Sequence, residues 1–399
     1  MQPWKVVAST ALAMSLFVTG CSEASKPAQK TETTQNQAAQ TSTPAPAASE
    51  TKEISSADFV NAAKELVGEI EKGVDGGKVD WEKVQKIHDD KIKERVQAMD
   101  AESKSQVNEQ LTAAMAAGKE GSLTVKTAAE LYEKLMQKVA FLSVRHDFKE
   151  ANDNFAKKED AKKEVAEAKE FYDGLLKGMV EKRDTAYQTQ LISTIDGGFS
   201  EMNNAIDKGD NLGYNLAKQM ADKSLMKAFY LASGAEKGYG YKIEKFVKEG
   251  SKEDIKAAQA EGWAFFQSLQ GYLEEQDKAD ADFINSQFDL SNDPKNIKGD
   301  KINQAYVRAI ASVAKDEYGQ SFKNWGKDKA VITSLEGALF LDMIKTDLNK
   351  ALGGEAKAKA LLDNAQQELE AVKAGNKDKA TEIHKKIDAD LDKLMKYGK

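Results

Sequence analysis

The sequence predicts an all-α protein: a large antiparallel helical bundle, in one piece or as two packed helical subdomains, behind a disordered N-terminal tether. Three observations predict it. From residue 53 onward the chain holds a single proline, Pro294, whereas a sheet-containing protein of this length normally carries more turn prolines. Ala, Lys, Glu, Leu and Gln, all good helix formers, are abundant. Apolar residues recur every three to four positions, as in Phe59-Val60-Ala63-Leu66-Val67-Ile70, Leu361-Leu362-Ala365-Leu369-Val372 and Ile383-Ile387-Leu391-Leu394-Met395. No stretch sustains the alternation of a strand.

Residues 1–20 read as an export signal. Lys5 supplies the positive start, and Val6 to Val18 form an apolar segment too short for a bilayer, which takes about 20 residues. It ends at Val18-Thr19-Gly20-Cys21, where Cys21 is the sole cysteine of the chain. This stretch resembles the lipobox of bacterial lipoproteins. The resemblance covers the first 21 residues and implies cleavage before Cys21, acylation of its thiol, and a location on the extracytoplasmic face of a membrane. Two or more acyl chains give a stable anchor, one a marginal one. Loss of the signal takes the formal net charge from −7 to −8, because Lys5 is the only charged residue in it. The expected membrane attachment therefore comes from lipid and not from a basic patch.

Residues 21–52 are the lipidated Cys and a linker rich in Ser, Ala, Lys, Gln, Thr and Glu, with Pro27, Pro44 and Pro46 and no large apolar side chain. Such a segment buries too little surface to offset its chain entropy. A flexible chain of this length has a root-mean-square reach of roughly 30 Å.

The folded part is expected over 53–287, with a C-terminal helical subdomain over 300–399. The expected helices are 56–72, 80–99, 102–117, 124–152, 158–182, 185–208, 213–234, 240–249, 252–287, 300–323, 328–352, 355–374 and 377–396, with Gly197-Gly198 a candidate break. Gly250 suits a helix C-terminus, and Ser251 with Asp254 suits a capping box. The stretch 288–299, with Ser291, Asn292, Asp293, Pro294 and Asn296, is the clearest internal break. Ala140-Phe141-Leu142, Ala228-Phe229-Tyr230-Leu231 and Ala338-Leu339-Phe340-Leu341 recur at unequal spacing, a pattern shared by ordinary core helices and by an old duplication.

Composition limits the chemistry. One cysteine excludes a disulfide framework, cysteine-based zinc sites and c-type haem attachment. The acidic balance argues against nucleic acid as a partner. Motifs for a serine hydrolase, a zinc peptidase, a P-loop or a dinucleotide site are absent, so the chain is read as no enzyme. A helical envelope hydrolase stands as the weakest alternative.

The expected function is a non-catalytic binding or scaffold module. Its partner would be an envelope protein, a cell-wall component or a small ligand, and it would need no cofactor. The alternative is a metal-uptake accessory holding a divalent ion. His146 and Glu150, one helical turn apart, are its candidate ligands, with further carboxylates from neighbouring helices. His146 continues the stripe Leu131-Leu135-Val139-Leu142, which puts it at a core edge. Helical iron-uptake lipoproteins carry a G-x-H-x-x-E signature, which this chain lacks. Tyr239, Tyr241 and Trp263 are the candidate ligand-binding aromatics, because they flank a glycine-containing link.

Replacing Cys21 by Ala is expected to move the protein from the detergent phase to the aqueous phase in a phase-partitioning assay. Unchanged partitioning would refute the lipid anchor.

Overall fold

The computed structural model describes residues 54–399, apart from the side chains of residues 252–254. The export signal, Cys21 and the linker lie outside the described residues. Residues 53–399 form one compact unit, and no strand occurs among the described residues. The helices are α1 (Ser56–Val74), α2 (Trp81–Ile87), α3 (Lys93–Ser103), α4 (Val107–Glu120), α5 (Val125–Asp153), α6 (Lys158–Phe171), α7 (Lys177–Tyr187), α8 (Leu191–Lys208) and α9 (Asn211–Ser233). They continue as α10 (Tyr239–Glu249), α11 (Lys252–Gln267), α12 (Gln270–Phe288), α13 (Gly299–Lys323), α14 (Asp328–Met343), α15 (Lys345–Leu352), α16 (Glu355–Lys373) and α17 (Lys377–Leu394). Short links make neighbours of sequential helices, among them α5 with α6, α8 with α9, α13 with α14 and α16 with α17.

Side chains cap the starts of several helices. The side chains of Ser55, Thr124 and Asp210 accept the backbone N–H three residues on, satisfying a donor that the first turn leaves free. Gly250 closes α10 in the left-handed conformation, and Ser251 is the N-cap residue of α11. The side chain of Asp254, the other half of the expected capping box, lies outside the described residues.

At the centre, α5, α9 and α13 bury side chains around most of their circumference. Phe141 of α5 meets Phe229 of α9 with ring centroids 5.3 Å apart, and Phe229 in turn meets Phe265 of α11 at 6.0 Å. Tyr230 packs edge-on against Tyr306 of α13 at 5.5 Å. Two of the small-aromatic clusters thus face each other across the core, while Phe340 of the third packs against Tyr272 of α12 at 6.3 Å. Each such pair adds about 0.5–1.5 kcal/mol beyond area burial. The core is continuous across the expected break at 288–299. Phe288 and Ile297 are buried in the same cluster as α1 and α17, and α12 packs directly on α13.

Helix breaks differ from expectation in five places. The helix over 80–99 continues to Ser103 through a π-helical turn at His88–Ile92. The helix over 158–182 likewise continues to Tyr187 through a π turn at Tyr172–Leu176. Both then stop at a residue with positive φ, Lys104 (54°) and Gln188 (55°), the non-glycine residues of this kind among those described. The next helix is capped from behind. Asp100 accepts from the backbone N–H of Val107 (2.7 Å) and Asn108 (2.9 Å), and Asp184 accepts from Leu191 (2.7 Å) and Ile192 (3.0 Å). The two devices are the same unit repeated at an interval of 84 residues (184 − 100).

The other differences are simpler. Gly197-Gly198 does not break α8, because Gly198 is the point where α9 comes closest, and a Cβ there would sit 3.0 Å from that of Ala221. The stretch 252–287 divides at Ser268-Leu269, and 328–352 divides at Ile344.

Asp100→Ala and Asp184→Ala are each expected to cost about 1–2 kcal/mol, the usual range for a lost helix cap, read from urea midpoints. A change below about 0.3 kcal/mol in both would show that the left-handed breaks hold without their carboxylates.

Candidate functional site

On α5, Leu142, Arg145, His146 and Lys149 follow a spacing that places them on one face. On α9, Lys218, Gln219, Asp222 and Lys223 do the same. These two faces, with Tyr272 of α12, Glu336 of α14 and Glu102 of α3, line a cavity of about 330 Å³. The apolar stripe of α5 runs straight into it. Leu131, Leu135 and Val139 are buried, while Leu142 and His146, next in the series, are half-buried on the cavity wall.

The wall is built from charge. Arg145 Nε lies 3.2 Å from Asp222 Oδ1, Lys223 Nζ lies 2.8 Å from Asp222 Oδ2, and the same ammonium lies 3.2 Å from Glu336 Oε1. Tyr272 is held between the two cations. The Arg145 guanidinium stands 4.5 Å from its ring centroid and donates to its hydroxyl, and the Lys223 ammonium stands 5.1 Å from the same centroid. Burial alone would raise Asp222, but Lys223 and Arg145 outweigh it and hold the carboxyl below the usual carboxylate range. Burial would lower Lys223, and Asp222, Tyr272 and Glu336 reverse that. Beside them, burial and then the Glu336 charge push Glu317 up to about 7.

Two wall residues stand outside this network. Lys218 makes no hydrogen bond or ion pair within 4.0 Å among the described residues, and burial pulls its ammonium down. Gln219 is 8% exposed, and its Oε1 has no partner. A cavity wall with a spare cation and a spare amide is suited to holding a small polar ligand.

The residues singled out from sequence are spread over the fold. His146 lines the cavity, but its Nδ1 is 2.6 Å from Glu102 Oε2, and Glu150 pairs with Lys149 at 3.2 Å. The structure does not bring these two onto a common ion. A group of three oxygen ligands lies instead on the adjoining face of α5 and on α6, formed by Asp147, Glu164 and Glu167. His88 bonds to Tyr132 and Asn108, and His384 packs against Phe322 and Tyr318, so each histidine has its own surroundings.

Tyr239 lines a second cavity, of about 360 Å³, and donates to Glu261. Tyr241 instead donates to Asp300 at 2.8 Å, and Trp263 packs against the cluster of Ala114, Leu131 and Ala260. Neither of these two lines either cavity. The three aromatics are therefore not one surface.

Sequence reasoning passed over Arg145, except as a neighbour of His146, and over Lys218, Asp222, Lys223 and Glu336. The available signal was positional. Asp222 and Lys223 lie on the face of α9 that leads into the Ala228-Phe229 cluster, where a solvated charge has no place.

Among the described residues, no helix is long and apolar enough to cross a membrane. Comparison with known proteins found no matching family model, no matching curated protein and no matching solved structure.

Asp222→Ala is expected to destabilise the fold by about 3–5 kcal/mol, because it leaves two enclosed cations without their shared carboxylate. An unchanged urea midpoint would mean that water already screens the group.

Proposed function

We propose that the chain is a lipid-anchored protein of the bacterial cell envelope, displayed on the extracytoplasmic face. In this reading its helical body is a non-catalytic module that binds a small anionic ligand, bearing a carboxylate or phosphate, in the cavity between α5, α9, α12 and α14. The anchor rests on the lipobox resemblance at Cys21. The ligand class rests on one observation: Lys218 stands on the cavity wall without a counter-ion, in a chain whose overall charge is −7. Arg145, Asp222, Lys223 and Glu336 pair among themselves, Glu102 pairs with His146, and Lys149 pairs with Glu150 and Asp153, which leaves Lys218 as the wall cation without an ion pair within 4.0 Å among the described residues.

A binding role suits these groups better than acid–base chemistry. Asp222, the most enclosed carboxylate of the wall, is held ionised by two cations and is correspondingly a weak base. Lys223 is held protonated by its neighbours and is a poor nucleophile. A ligand anion that enters would meet a wall already fixed by ion pairs, which lowers the ordering cost of binding.

The test is calorimetric titration of the full chain with phosphate, citrate and glutamate. One saturable site for at least one of them is expected. Lys218→Met should weaken it by about tenfold or more, equivalent to about 1.4 kcal/mol, while Lys315→Met, at a residue that pairs with Asp388 and Asp392 and lines neither cavity, leaves it intact. No saturation by any of the three, or equal affinity in Lys218→Met, would overturn the reading.

A further inference from the structure

We propose that Asp147, Glu164 and Glu167 form a binding site for one hard divalent cation of the Mn²⁺ or Ca²⁺ class, separate from the anion cavity. One oxygen of each carboxylate lies within 4.8 Å of the others. Oxygens on a common calcium ion stand about 2.3–2.6 Å from it, so opposite ligands are separated by about 5 Å at most. The three side chains therefore already lie within the span of a single ion. Their backbones are fixed by the α5–α6 hairpin, whose turn is closed by Asn154 N–H to Glu150 O (2.8 Å) and Lys157 N–H to Asn154 O (2.7 Å). Glu164 and Glu167 share a face of α6 at the i, i+3 spacing.

The group differs from an ordinary acidic surface in one respect. Asp147 is only 1% exposed, and its Oδ2 is buried with no hydrogen-bond partner. Its other oxygen accepts from Arg95 at 3.3 Å, and that guanidinium is also bonded to Ser143 and laid over the Phe171 ring. An enclosed carboxylate oxygen left without a donor is costly, and a cation is the partner that three converging carboxylates can share. Lys163 offsets Glu167 from the outside at 2.9 Å. Three carboxylates thus face two fixed cations.

Burial pushes Asp147 up to about 7 and raises Glu164, with Glu167 adding to the latter. The donor set is all oxygen, which suits hard ions better than zinc or copper. Glu164 and Glu167 are half-buried, leaving a way in from solvent and room for water as the remaining ligands.

The experiment uses the full chain, stripped with chelator and then dialysed. Mn²⁺ binding is followed by electron paramagnetic resonance, and Ca²⁺ binding by calorimetry. One ion per chain is expected for at least one of the two metals. Asp147→Asn and Glu164→Gln should each weaken it by about tenfold or more, with the chelator-treated melting midpoint of Glu164→Gln unchanged. Should Asp147→Asn fail to fold, Glu164→Gln at the solvent side still decides the matter. Absence of saturable binding by either metal, or equal affinity in Glu164→Gln, would overturn the site. Lys218→Met should leave metal binding unaltered, which keeps this outcome distinct from that of the anion cavity.

Discussion

A helix enclosed around most of its circumference has little solvent face for its charges, and α5 and α9 are both in that position. Each carries a run of buried residues along nearly its full length, Thr127 to Ala151 on α5 and Gly213 to Ser233 on α9. Both nevertheless include Lys, Arg, Asp and Gln. Those side chains must find partners inside or retain water inside. Asp222 and Lys223 show the first solution, pairing at 2.8 Å and bridging onward to Arg145 and Glu336. Lys218 and Gln219 show the second, opening onto a cavity. The site follows from enclosing polar helices, and its charge pattern follows from which residues remained unpaired.

Two helices next to this enclosed pair, α3 and α7, stop at defined points without glycine or proline. The chain does this twice in the same way. A buried residue, His88 or Tyr172, begins a π turn. Twelve residues later an Asp, 100 or 184, reaches over a left-handed residue to cap the next helix. A π turn adds a residue to the local ring and rotates the following face relative to the preceding one. It lets one helix serve two packing surfaces. The left-handed residue costs energy for a side chain with a Cβ, and the two backbone hydrogen bonds to each Asp offset that cost.

This explains which parts of the fold were legible in the sequence. Helix identity was legible because period 3.6 needs only apolar spacing, and the packed bundle agrees with it. The breaks at Lys104 and Gln188 were expected a few residues early, at 99–102 and 182–185, because the signal that places them is an Asp several residues upstream and not a glycine at the break. Gly198 misled in the opposite sense. Its lack of a side chain serves the close approach of Ala221 and not a turn. His146 was legible as a core-edge residue through its stripe, and the cavity wall is where that stripe leads. Arg145, Lys218 and Glu336 were not, since in a chain that is 31% charged they look like any solvated face until the neighbouring helices are known. Tyr239 and Trp263 were grouped because they are near in sequence, but they point to different neighbours.

The two polar groups on α5 are adjacent in sequence and opposed in direction. His146 belongs to the cavity wall and Asp147 to the carboxylate trio, as a rotation of about 100° per residue requires. Between them runs a helix packed by Phe141, Val144 and Phe148 against its neighbours. A helix so confined does not slide or turn to suit one side without disturbing the other, because close-packed contacts resist small displacements. Each face must therefore accept its ligand in the geometry that folding has set. Selection at either site then rests on charge and size and not on rearrangement. The two faces also differ in the group left unpaired, an ammonium at Lys218 and a carboxyl oxygen at Asp147, so the two sites proposed above would take ions of opposite charge on one rigid helix layer.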